Sequence, residues 1–103
     1  MIKVSVMYPK SAESNFDLAY YRDTHMALVR DRLGEACKRT AIESGLAGGA
    51  PGEGPAYIAM GHMYFESVGD FQTAFGPHAK EILGDIPNFT NVQPTVQISE
   101  VIE

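Results

Sequence analysis

The sequence predicts an α+β fold of ferredoxin-like type. Strands and helices follow in the order βαββαβ, and both helices cover one face of a four-stranded antiparallel sheet. Three observations carry that expectation. Apolar residues alternate at period two near the N-terminus and again in the middle of the chain. A stripe at helical spacing lies between them, and a second capped helical segment follows the central strand. The remaining sheet face is mixed in polarity, which asks for a covering layer.

The first strand is Ile2 to Tyr8. Ile2, Val4, Val6 and Tyr8 share one face, Lys3, Ser5 and Met7 the other, and Pro9 ends the run because it lacks a ladder donor. Helix one is expected to begin near Asn15, with Ser14 or Asn15 as cap and Asp17 at capping-box spacing from Ser14. Its inward stripe is Leu18, Tyr21, His25, Leu28, Val29 and Arg32, and Gly34 supplies the stop. Strand two falls within Ala36 to Leu46 and rests on topology more than on propensity. Ala47 to Pro55 carries four glycines and two prolines in nine residues, the composition of a mobile loop. Ala56 to Glu66 is the clearest strand. Ser67 and Asp70 repeat the capping-box spacing and open helix two, with Phe71, Ala74 and Phe75 on its apolar side. Gly76-Pro77 breaks that helix, and Pro77 starts a second short piece through Leu83. An irregular stretch from Asp85 to Asn91 leads to the last strand, Thr95 to Ile102.

In this arrangement Val4, Val6, Ala59, Met63, Phe65, Val96 and Ile98 face the helices. Met7, Ile58, Met60, His62, Tyr64 and Gln97 lie on the opposite face. That second face is too apolar for open solvent and too polar for a closed core. A second copy laid over it, forming a dimeric α+β barrel around a pocket, satisfies both demands.

At 103 residues the chain is expected to be one domain. A net charge of -5 with scattered Lys and Arg argues against nucleic acid or a membrane surface as partner. No apolar run approaches the roughly 20 residues of a membrane helix, and residues 1–8 are too short and strand-like for a secretion signal. One cysteine, Cys37, forms no internal disulfide and has no neighbouring metal partners, so a reducing cytoplasm is expected. The three histidines share no ligand-pair spacing, and the glycines of residues 45–54 do not sit between a strand and a helix as a phosphate cradle would. Neither metal nor cofactor is expected.

His25 is the leading candidate for chemistry, a titratable group on an otherwise apolar inward stripe, able to act as general acid or base. A half-buried imidazole bonded to backbone is the equally weighted structural alternative. Tyr21 shares its face and could bond a substrate oxygen, although plain packing is the stronger prior. His62 is a third catalytic candidate, set against a packing role at the dimer seam. Tyr64, Met60, Gln97 and Phe89 are the expected substrate-binding residues. Asp85, Asn88 and Thr90 are read mainly as turn-holding side chains.

The run Tyr20-Tyr21-Arg22-Asp23-Thr24-His25-Met26-Ala27-Leu28-Val29 resembles the first-helix signature of the EthD family, named for a protein of ethyl tert-butyl ether degradation gene clusters. So do Phe65, Phe71 and Gly76-Pro77, the stretch Asp85-Ile86-Pro87-Asn88-Phe89-Thr90, and Pro94, Gln97 and Glu100-Val101. The resemblance spans essentially the whole chain. It implies the dimeric α+β barrel and places His25 at the family's recurrent histidine. The wider superfamily includes isomerases, quinone-forming monooxygenases, polyketide cyclases and haem-binding members, so it implies no one reaction. Three readings follow. One is a cofactor-free enzyme acting on a small apolar oxygenated molecule. Another is a non-catalytic metabolite-binding or accessory protein. The weakest is haem binding with His25 as axial ligand.

Overall fold

A computed structural model describes residues 1–103. The chain runs β1 (Ile2–Pro9), α1 (Leu18–Tyr20), a π-helical turn (Tyr21–His25), α2 (Met26–Leu33), β2 (Arg39–Ser44), β3 (Tyr57–Phe65), α3 (Val68–Phe75), α4 (Ala79–Gly84) and β4 (Thr95–Glu100), with short 3-10 turns at residues 34–36, 76–78 and 86–88. The four strands form one antiparallel sheet in the order β2-β3-β1-β4. This is the expected ferredoxin-like topology. No helix is long and apolar enough to cross a membrane.

The register puts Val4 opposite Met63 and Ile98, and Ser5 opposite His62 and Gln97. Side chains alternate across the pleat, so these two rows lie on opposite faces. Val4, Tyr8, Ala59, Met63 and Phe65 are buried beneath the helices together with Tyr21, Met26, Val29, Leu33, Ile82 and Phe89. Val96 and Ile98 stand on the same face but remain 55% and 41% exposed, because the helical layer does not extend over the edge strand β4. On the opposite face Met7, Ile58, Met60 and Tyr64 are half-buried, and Arg39 lies over the Tyr64 ring at 5.0 Å.

Two local expectations are corrected. The first helix does not open at Asn15. Residues 13–16 are instead tied to residues 89–91: Asn15 N donates to Asn91, Asn91 to the Glu13 carbonyl, Thr90 Oγ1 to the Asn15 carbonyl, and Phe16 bridges Thr90. Asp17 becomes the cap, accepting from Tyr20 N. The inward stripe also slips by one residue after His25. Met26, Val29 and Leu33 are buried, where an unbroken α-helix would have buried Leu28 and Arg32. The cause is the π turn, in which Met26 N bonds back to the Tyr21 carbonyl and accommodates one extra residue. Helix two starts as expected, with Ser67 Oγ accepting from Asp70 N.

Candidate functional site

The π turn carries Tyr21 and His25 to the inner surface of the helical layer, where their rings stack at 5.5 Å with 15° between planes. Phe89 covers the imidazole at 4.6 Å and packs against Tyr21 at 5.0 Å. The Tyr21 ring also meets Tyr8 from β1 and Phe16, so the histidine packs on Tyr21 and Phe89 at the edge of a larger aromatic cluster. Across from Tyr21, β3 carries Gly61. A Cβ there would lie 2.0 Å from Tyr21 Oη, so glycine is what lets the phenol reach the strand.

His25 is 4% exposed, and Nδ1 is its one ring nitrogen with a partner, Asp85 Oδ2 at 2.9 Å. Asp85 is in turn fixed through Oδ1 by the Tyr20 hydroxyl at 2.7 Å and by Asn88 Nδ2 at 2.9 Å. Burial lowers the His25 pKa and outweighs the upward push from Asp85, which leaves a neutral imidazole at neutral pH. Burial by itself would raise the Asp85 carboxyl, but Asn88, Tyr20 and His25 together hold it below the ordinary range. A charged carboxylate beside a neutral imidazole requires Nδ1–H as donor. Nε2 is then the free lone pair.

That nitrogen is not sealed off, since no buried side-chain nitrogen or oxygen lacks a partner. His25 lines an apolar cavity of about 210 Å³ between the helices and the sheet. Sixteen residues line it, thirteen of them hydrophobic, and none is Lys or Arg. Tyr8, Tyr21, Met26, Gly61, Phe75 and Ile86 are among the residues that share this wall with His25. Burial, followed by the influence of Tyr21, raises the Tyr8 pKa far above neutrality, and burial pushes Tyr21 up to about 12, against a smaller pull from Tyr8. Both phenols keep their protons.

Of the residues singled out in the sequence, Tyr21 and His25 line the cavity, whereas Phe89, expected to bind substrate, packs against both without lining it. His62, Tyr64, Met60 and Gln97 do not, because they occupy the other sheet face. The expected pocket lay between two facing sheets, whereas this cavity lies under the helices of a single chain. His62 is held between Ser5 Oγ at 2.9 Å and Glu43 Oε1 at 3.1 Å, a bonded row across three strands. Asp85, expected mainly to hold a turn, pairs with His25 over sixty positions of sequence, a contact with no local signal. No group of three or more His, Cys, Asp or Glu side chains could hold a metal ion.

Fold and site together define a ferredoxin-like α+β chain with an apolar cavity and a histidine–aspartate pair in its wall. The chain belongs to the EthD family: the EthD domain matches residues 11–93. An EthD-like protein from Ralstonia eutropha JMP134 is 49% identical and superposes with a TM-score of 0.94, over 99% of this chain and 92% of that one. An ethyl tert-butyl ether d (EthD) family protein from Bacillus halodurans C-125 is 20% identical, with a TM-score of 0.75 over 99% of both chains. A provisionally assigned monooxygenase from Shewanella loihica PV-4 shares the fold at 15% identity and a TM-score of 0.61, over 99% of this chain and 94% of that one. No curated protein matches.

Proposed function

We propose that the chain is a cofactor-independent enzyme that moves a proton on a small apolar oxygenated molecule bound under the helices, with His25 as general base and acid. The observation carrying this reading is the His25–Asp85 pair beside an apolar cavity, with Nε2 free. Asp85 orients the ring, selects the Nδ1–H tautomer and stabilises the imidazolium formed when Nε2 takes a proton. Tyr21, which lines the cavity and keeps its proton at neutral pH, donates in this proposal to an oxygen on which negative charge develops. His62, Tyr64, Met60 and Gln97 have no part in this step. Their role in the proposal is to lie beneath a second copy, which covers the half-buried methionines and tyrosine of that face.

Solvent-deuterium exchange into 2-tetralone, a neutral bicyclic ketone with acidic α-hydrogens, tests the reading. Nε2 removes an α-proton, the electron pair moves onto the carbonyl oxygen, and a deuteron returns to carbon. Wild-type protein should accelerate exchange measured by mass spectrometry, and His25→Phe should abolish the acceleration. Equal exchange with both proteins contradicts the assignment. Saturable binding of 2-tetralone without exchange favours the metabolite-binding alternative.

A further inference from the structure

Resting on the reading of His25 as a neutral base, we infer that the cavity selects a neutral molecule of about one to two fused rings bearing a hydroxyl that donates to Nε2, and that it rejects carboxylates of the same size.

Size comes first. An apolar cavity of about 150 Å³ is enough to hold benzene. The cavity here is about 210 Å³, room for one ring and several further heavy atoms. Most of its wall is hydrocarbon, so ring surface meets ring and aliphatic surface over nearly the whole contact.

The few polar atoms decide the rest. Nε2 is an acceptor, because Nδ1 carries the proton bonded to Asp85. The Tyr21 hydroxyl is a donor. A ligand hydroxyl satisfies both, donating to Nε2 while accepting from Tyr21, and the enol of an α-acidic ketone such as 2-tetralone carries such a hydroxyl. An ether can only accept, which leaves Nε2 desolvated and without a partner. A carboxylate also only accepts, and it adds a second negative charge close to Asp85. No lysine or arginine lines the cavity to balance that charge. The Asp85 charge is already matched by donors from His25, Tyr20 and Asn88, which leaves no cationic group over for an anionic ligand.

The test is equilibrium binding of 2-naphthol, 2-methoxynaphthalene and 2-naphthoate, followed by calorimetry at pH 7. Wild-type protein should bind the naphthol at least ten-fold tighter than the ether and give no saturable signal with the carboxylate. In His25→Phe, which keeps a ring at the position, the naphthol–ether gap should shrink to within two-fold. Circular dichroism reports whether that variant folds, and the wild-type ranking decides the matter even if it does not. Naphthoate binding as tightly as naphthol, equal binding of naphthol and ether, or a gap that survives in folded His25→Phe would each overturn the inference. The tetralone experiment fails independently: exchange with the wrong ligand ranking removes the hydroxyl-selective class alone, and the right ranking without exchange removes the catalytic reading alone.

Discussion

Gly61→Ala should be destabilising well beyond a typical strand substitution, and the excess should vanish when Tyr21 loses its hydroxyl. A Cβ on Gly61 would stand 2.0 Å from Tyr21 Oη, whereas real Cβ contacts essentially never fall under 3.0 Å. Something must therefore move by 3.0 − 2.0, about 1 Å. The phenol cannot swing aside cheaply: Tyr21 is 1% exposed and in contact with the rings of Tyr8, Phe16, His25 and Phe89. Overpacking of this kind costs about 1–3 kcal/mol, offset by about 0.4–1 kcal/mol from the stiffer unfolded chain. In Tyr21→Phe the next atom met is Cζ at 3.3 Å, a contact relieved by a few tenths of an ångström. A double-mutant cycle by urea denaturation should give a coupling between positions 21 and 61 of about 1–2 kcal/mol. Additivity within about 0.5 kcal/mol would refute the placement of the Tyr21 hydroxyl against β3, and with it the donor beside His25.

Three further outcomes follow from the same geometry. Asp85→Ala leaves the buried His25 Nδ1–H without an acceptor and should cost about 1–3 kcal/mol, a fall in Tm of roughly 4–20 °C for a domain of this size, read by calorimetry; an unchanged Tm would mean the pair is not formed. Because burial holds the His25 pKa below its ordinary value, the unfolded chain binds a proton that the folded chain does not as pH falls below about 6.5. Stability should therefore drop between pH 7 and 5 and drop further below about 4 as Asp85 protonates, and in His25→Phe the upper part of that loss should be smaller; parallel urea midpoints in the two proteins would contradict it. Light scattering at micromolar concentration should give twice 11.2 kDa, and a species of 11.2 kDa alone would remove the second copy from the account.

The topology was legible because its signals are local and repeated. Alternation in β1 and β3 set the two sheet faces, and Ser67 with Asp70 marked the start of α3 within one residue. The slip in the first helix was not legible. A π turn leaves no composition mark, and residues 21–25 contain neither glycine nor proline. It rotates the second half of the stripe, so Tyr21, His25 and Val29 are buried as expected while Leu28 and Arg32 are not; Leu18, ahead of the turn, is exposed as well. Asp85 was missed for a different reason. Its partner is 60 residues away, and its bond to Asn88 is the ordinary turn contact that the sequence suggests. Gly61 offered a signal that went unread: a glycine inside a strongly alternating strand marks close approach by another group, here the Tyr21 hydroxyl. The mixed face of the sheet drew the expected pocket to that side, while the apolar cavity of the single chain lies on the other; a surface needing cover and a cavity taking a ligand present similar residue types.

The proposed proton transfer turns on one atom, His25 Nε2, left unprotonated when Nδ1–H donates to Asp85 on the other side of the ring. Nitrogen-15 NMR of histidine-labelled protein at pH 7 reads it directly. The expected result is a neutral His25 in the Nδ1–H tautomer that titrates below the ordinary histidine range. A protonated ring at pH 7, or a neutral ring with its proton on Nε2, would contradict it.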